Sequence, residues 1–166
     1  DTDRLTGGID AADFDASGYL SPGVDENLLD RIANPQVSAE VLEVKATAIR
    51  ERNVEGAFAI SDVGDISNAD AIPQAADELI RLEGVTAAIV CGTRNGTLYL
   101  SGRSRDDRVH MGRAIESALE EVPGASGGGH ARMGGGQIPV EDGDFVWPAR
   151  RAALTDRLRR ALEGDV

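Results

Sequence analysis

A mixed-sheet α/β fold is the class this sequence predicts, and three patterns predict it. Segments whose apolar residues recur at helical spacing alternate with short β-branched or alternating segments, the order expected where helices cover a sheet. Residues 85–91 form a β-branched-rich run, apolar throughout but for Thr86, which suits a strand covered on both faces. Asn95-Gly96 follows closely, a strong two-residue hairpin signal. An antiparallel pair is therefore built into the sheet, and a doubly wound all-parallel arrangement is excluded.

The elements can be justified in chain order. Residues 1–34 are rich in Asp and Gly with weak periodicity, and are expected to enter from the middle of a larger protein. Val41, Val44 and Ala48 then repeat at helical spacing, with Ser38 placed to cap after Pro35, which predicts a helix over 38–53. Residues 57–63 alternate as a strand does, with Phe58 and Ile60 on one side. Ile72, Ala76, Leu79 and Ile80 form one stripe, so a second helix is expected over 71–83, with Asp70 at its start and Gly84 at its end. Beyond the hairpin turn, residues 97–103 return as a strand: Leu98, Leu100 and Gly102 point one way, and Thr97, Tyr99, Ser101 and Arg103 the other. A helix over 108–121 presents Met111, Ile115, Ala118, Leu119 and Val122, leaving His110 and Arg113 together off that stripe. The glycine-rich stretch 124–136 reads as a loop into a short strand over 137–141, which Pro139 assigns to an edge or a bulge. Trp147-Pro148 opens an Arg-rich terminal helix with Leu154, Leu158, Ala161 and Leu162 inward.

Composition narrows the class of protein. There are 29 acidic side chains against 17 basic ones, for a formal net charge of −12, and Lys45 is the single lysine. At molar salt the Debye length shrinks to about 3 Å, which mutes the self-repulsion of such a chain. A halophilic, archaeal-like cytoplasmic protein fits this pattern, and an acidic mesophilic domain is the alternative. Cys91 is the only cysteine, so no disulfide framework exists, and its place in the apolar run marks it as core. No apolar run approaches the roughly 20 residues needed to cross a bilayer, so no membrane association is expected.

Candidate chemistry concentrates in residues 126–134, which contain Gly127, Gly128, Gly129, His130 and Arg132. Consecutive glycines allow positive φ and bring N–H groups close to a ligand, forming an anion cradle to which His130 and Arg132 add donors. A flexible linker would share this composition. Neither a P-loop nor a dinucleotide fingerprint is present. Charge supports a cradle. Between Arg94 and Arg132 six arginines meet five acids, whereas residues 1–93 carry eighteen acids and six bases. Sparing one region from acidity suits an anionic ligand. Surface ion pairs with Asp106, Asp107 and Glu116 are the competing use for those arginines.

The succession Leu98-Tyr99-Leu100-Ser101-Gly102-Arg103-Ser104, a helix through Val109 and Ile115, and then Gly127-Gly128-Gly129-His130 resembles the DHH-associated domain of the DHH family of phosphoesterases. The resemblance covers roughly residues 38–140. It implies a substrate-binding domain over 37–146, preceded by a remnant of the DHH catalytic domain over 1–36 and followed by a C-terminal helix over 147–166. By the same likeness Arg103, Ser104, Gly127, Gly128, Gly129, His130 and Arg132 bind substrate, with Ser101 a neighbour. Two departures stand out. Met133 holds a place where the family has Ala, and Ala12 sits where a metal-binding Asp belongs, with Asp13 one place later.

No Asp-His-His triplet occurs, and His110 and His130 are the only histidines, so this chain cannot by itself assemble a two-metal centre. No catalytic or metal-ligating residue is expected here; manganese is expected in an upstream catalytic domain of the parent. The implied function is the nucleotide- or phosphate-binding part of a phosphoesterase acting on short oligonucleotides or cyclic dinucleotides. A non-catalytic nucleotide-binding regulatory module is the alternative. Expected partners are a short oligonucleotide or nucleotide, the upstream catalytic domain and a second copy in a homodimer.

Overall fold

In the computed structural model, which describes residues 9–140 and 156–160, the chain divides into two compact units, Asp1–Val37 and Ser38–Val166. The first unit contains helices α1 (Ala11–Leu20) and α2 (Glu26–Ala33), joined through a 3₁₀ turn at Ser21–Gly23. Asp10 and Asp13 form a reciprocal capping box at the start of α1, and the Asp25 carboxylate accepts from Asn27 and Leu28 N–H at the start of α2.

The second unit is the predicted mixed α/β fold. Its helices are α3 (Ala39–Arg50), α4 (Ala71–Leu79) and α5 (Met111–Leu119). Its strands are β1 (Asn53–Glu55), β2 (Phe58–Asp65), β3 (Ala87–Arg94), β4 (Thr97–Ser104), β5 (Ser126–Gly129) and β6 (Met133–Pro139). They form one sheet in the order β1-β2-β3-β4-β6-β5. β2 and β3 are parallel, so the chain between them needs a crossover, which α4 supplies. Every other neighbouring pair is antiparallel.

Ser38 caps α3, its Oγ accepting from the Val41 N–H at 3.3 Å. α3 and α4 bury Val41, Val44, Ala48, Ile72, Ala76 and Leu79 against Ala59, Ala88 and Val90 on one sheet face. α5 buries Met111, Ile115, Ala118 and Leu119 against Ile89, Cys91, Leu98, Leu100 and Ile138 on the other, joined by Leu158. β3 is thus covered on both faces, as its apolar run requires, and Cys91 is core. Each fully buried Ile or Leu in these layers contributes about 1.5–3 kcal/mol of transfer free energy. At the turn after β3, Asn95 and Gly96 take φ of 49° and 71°, the two left-handed residues of a type I′ hairpin.

Four expectations are corrected. The glycine-rich stretch is not a loop: it forms the antiparallel pair β5 and β6, with Gly127, Gly128 and Gly129 facing Gly136, Gly135 and Gly134. Glycine disfavours strands on entropy, but here α5 approaches so closely that a Cβ on Gly127 would stand 2.7 Å from Leu119 Cδ1, and one on Gly136 2.6 Å from the same atom. Nor is the strand bearing Pro139 at the edge. β6 lies between β4 and β5, with Pro139 at its end. Asp70 makes no side-chain cap to α4: its backbone is helical, at φ −68° and ψ −12°, where a capping residue is extended. α5 begins at Met111 rather than near residue 108, because Asp106 gathers the Arg108 N–H and guanidinium into a local turn and His110 Nδ1 accepts from the Arg113 N–H instead. Residues 156–160 are helical; the rest of the expected terminal helix lies outside the described residues.

Candidate functional site

The α3 and α4 layer stops at β4. Among the described residues of this unit no helix covers β6 and β5 on that face, and strand register lays out the surface. Directly opposed residues share a face, so Ser101, Gly135 and Gly128 form one row across β4, β6 and β5. Tyr99, Gln137 and Ser126 form the row on one side of it, and Arg103 and Met133 the row on the other. Because two of its three residues lack side chains, the middle row is the floor of a trough. A Cβ on Gly128 would meet nothing within 4 Å, unlike one on Gly127, so packing does not demand glycine there.

Arg103 bounds the trough and is anchored firmly. Its Nε donates to Asp77 Oδ1 at 2.5 Å, Nη1 to Ser101 Oγ at 2.9 Å and to the Gly102 carbonyl at 3.1 Å, and Nη2 to Asp77 Oδ2 and the Pro73 carbonyl, both at 3.4 Å. It thereby ties β4 to α4. With Arg103 donating to its oxygen, the buried Ser101 hydroxyl keeps its own proton to offer.

The other sequence-predicted residues are not all brought to this trough. Ser104 points to the opposite face, where its buried Oγ donates to the Asp106 carbonyl and accepts from the Asp106 N–H. Gly127 and Gly129 lie on the α5 side of the sheet. The His130 N–H donates to the Met133 carbonyl at 2.7 Å. In the alternation that this bond sets, Gly127 and Gly129 direct their N–H groups to the edge of β5 that no described strand pairs. His130 and Arg132 stand exposed at the hairpin tip, with the Arg132 guanidinium 2.9 Å from Asp107. Carbonyls of that tip cap α5: Met111 N–H donates to Ala131 O at 2.9 Å and Gly112 N–H to His130 O at 3.0 Å. A groove of about 450 Å³ beside α5 and Ser126–Gly127 is lined by Glu116 and Glu120 as well as Arg113.

Of the six arginines in the acid-poor region, Arg103, Arg108 and Arg132 pair with Asp77, Asp106 and Asp107. The Arg108 side chain and N–H hold the Asp106 carboxyl down at about 2, from an ordinary 3.8. A depressed carboxyl pKa stabilises the fold above the ordinary value and loses that contribution as pH falls toward the depressed one. Carbon-13 titration of Asp106 should give a midpoint near 2, and Arg108→Ala should return it toward 3.8. A wild-type midpoint at 3.8 would dismiss the turn as drawn.

Sequence reasoning missed Asp77, Gly135 and Gln137. Reading residues 124–136 as a loop hid Gly135, and Gln137, expected to open a strand, was given no partner; a run of glycines has no alternation to assign either to a face. Nothing local marks Asp77, 26 residues from its partner. Met133 borders the trough beside the Arg103 row, half exposed. Among the described residues no three His, Cys, Asp or Glu side chains converge as a metal set, and the Asp10 and Asp13 carboxylates bond to α1 backbone N–H groups. Among those residues, too, no helix is long and apolar enough to cross a membrane.

Residues 55–163 match the family model of the DHHA1 domain. The chain is 34% identical over 167 residues to the uncharacterized protein MJ1633 of Methanocaldococcus jannaschii, covering 100% of this chain and 33% of that protein. It is 31% identical over 143 residues to the cyclic-di-AMP phosphodiesterase GdpP of Geobacillus thermodenitrificans, covering 83% of this chain and 20% of that protein. The chain thus spans a third of one relative's length and a fifth of the other's. An exopolyphosphatase-related protein from Bacteroides fragilis shares the fold, with a TM-score of 0.66 and 17% identity over 96% of this chain and 48% of that one.

Proposed function

The chain belongs to the DHHA1 domain family, and on that premise we propose that it is the substrate-holding part of a DHH-type phosphoesterase, receiving a short oligonucleotide or cyclic dinucleotide on the open face of β4, β6 and β5. The observation that carries this reading is Gly128: it is a glycine where packing leaves room for a side chain, on a floor that Ser101 shares and Arg103 bounds. Bare backbone gives a ligand close approach, while Ser101 offers a hydroxyl proton and Tyr99 and Met133 offer apolar walls. His130 and the outward N–H groups of Gly127 and Gly129 are placed to hold a second part of a dinucleotide at the β5 edge. Such a domain accelerates reaction by positioning rather than by proton transfer.

The residues here do not fit a metal pair, so we assign the manganese chemistry of phosphodiester cleavage to a separate catalytic domain. The commitment of Asp10 and Asp13 to helix capping, with Ala12 between them, favours a second reading: a nucleotide-binding module without catalysis. In both readings the protein works in the cytoplasm at high salt, where counterion release adds little affinity and directed hydrogen bonds must supply it.

Titration with the linear dinucleotide pApA in molar KCl tests the site. Wild type should bind saturably, with Arg103→Ala and His130→Ala at least about tenfold weaker, the worth of one charge-assisted hydrogen bond. Equal binding by all three proteins, or by none, would reject the assignment. Release of AMP by the full-length parent with manganese separates enzyme from module.

A further inference from the structure

Resting on that reading of the open face, we infer that Asp77 is an intramolecular stand-in for the ligand's phosphate, occupying Arg103 until a dianionic phosphate displaces it. A guanidinium has five N–H donors, and all five of Arg103's have acceptors within the protein. An anion reaching the Ser101–Gly135–Gly128 row therefore meets a positive charge with no free donor. One acceptor must leave before Arg103 can grip it.

The five bonds differ in how easily they exchange. Pro73 O and Gly102 O are backbone atoms of α4 and β4, and Ser101 is buried at 6% exposure, so these acceptors move only with the fold. The Asp77 side chain is 57% exposed on the surface of α4, against 17% for Arg103, and a rotamer change carries it into solvent. Its two oxygens take Nε and Nη2 side by side, the fork arrangement that phosphate oxygens also match. Exchange of one anion for the other leaves every Arg103 donor satisfied, and the pair broken is exposed on the carboxylate side, where such pairs contribute little.

This exchange has a consequence for ligand choice. A terminal phosphomonoester carries close to two negative charges at neutral pH, enough to outcompete a single carboxylate at the same guanidinium. A bridging phosphodiester carries one charge and has no such advantage. Asp77 thereby biases the site toward linear dinucleotides with a free terminal phosphate over cyclic ones, and keeps carboxylates and chloride out. Such discrimination works by raising the threshold for every ligand.

The test is isothermal titration of wild type, Asp77→Asn, Asp77→Ser and Arg103→Ala with pApA and, separately, with cyclic di-AMP in molar KCl. Asp77 is an exposed helix position, so both substitutions are expected to leave the melting temperature within a few degrees. Asp77→Asn and Asp77→Ser should bind pApA at least fivefold tighter than wild type, and the preference for pApA over cyclic di-AMP should narrow. If they bind equally or more weakly while Arg103→Ala also weakens, Asp77 merely positions Arg103 and the exchange is overturned, with the open-face reading intact. If wild type does not bind, or Arg103→Ala binds as wild type does, the open-face reading falls and the exchange with it.

Discussion

Gly112→Ala is expected to destabilise the domain by about 3 kcal/mol or more, the upper range for overpacking plus loss of a capping hydrogen bond. A Cβ on Gly112 would lie 2.3 Å from the Gly129 carbonyl carbon and 2.4 Å from its oxygen. Those are backbone atoms, so no rotamer change relieves the clash. Retreat of α5 is resisted, because Met111 and Gly112 N–H groups are bonded to Ala131 and His130 carbonyls. For a domain of this size the loss is about 10 °C in melting temperature, read by circular dichroism in molar KCl. A melting temperature unchanged within 2 °C or so would show that α5 and the hairpin tip are not in contact as described.

Gly128→Val should do the reverse. Its φ is not positive and its Cβ position is open, so valine costs no strain and recovers the strand entropy that glycine forfeits. Stability should hold or rise slightly. The added side chain stands on the trough floor between Ser101 and the β5 edge, and pApA affinity should fall at least tenfold, about 1.4 kcal/mol. Retained affinity would remove the trough from the site. The contrast with Gly127 is sharp, since one residue away a Cβ would strike Leu119 and Ile115. Neighbouring glycines in one tripeptide thus serve two ends, packing at Gly127 and access at Gly128.

Where structure followed local chemistry, it was legible. The Ser38 cap, the apolar stripe of α3, the two-sided burial of β3, the Asn95-Gly96 turn and the alternation of β4 all rest on residues within a turn or two of one another. The ion pairs Arg108–Asp106 and Arg132–Asp107 were the anticipated competing use of those arginines. Failure came where a distant partner overrode local preference. Glycine's poor strand propensity argued for a loop, and the closeness of α5 turns three glycine pairs into sheet. Ser104 is a different case: the alternation of β4, itself local, sends it to the face opposite Arg103, where its partner is Asp106, two residues on.

By itself, then, the sequence determined the mixed α/β class, the hairpin, the identity of the glycine tract as the unusual segment and its likeness to DHH-associated domains, because propensity, periodicity and turn chemistry are local. Tertiary structure alone decided which glycines face a helix and which face open space. It also decided that Arg103 meets Asp77. Both depend on how α4 and α5 pack against opposite faces of the sheet, and a contact between segments 26 residues apart leaves no trace in the spacing of either.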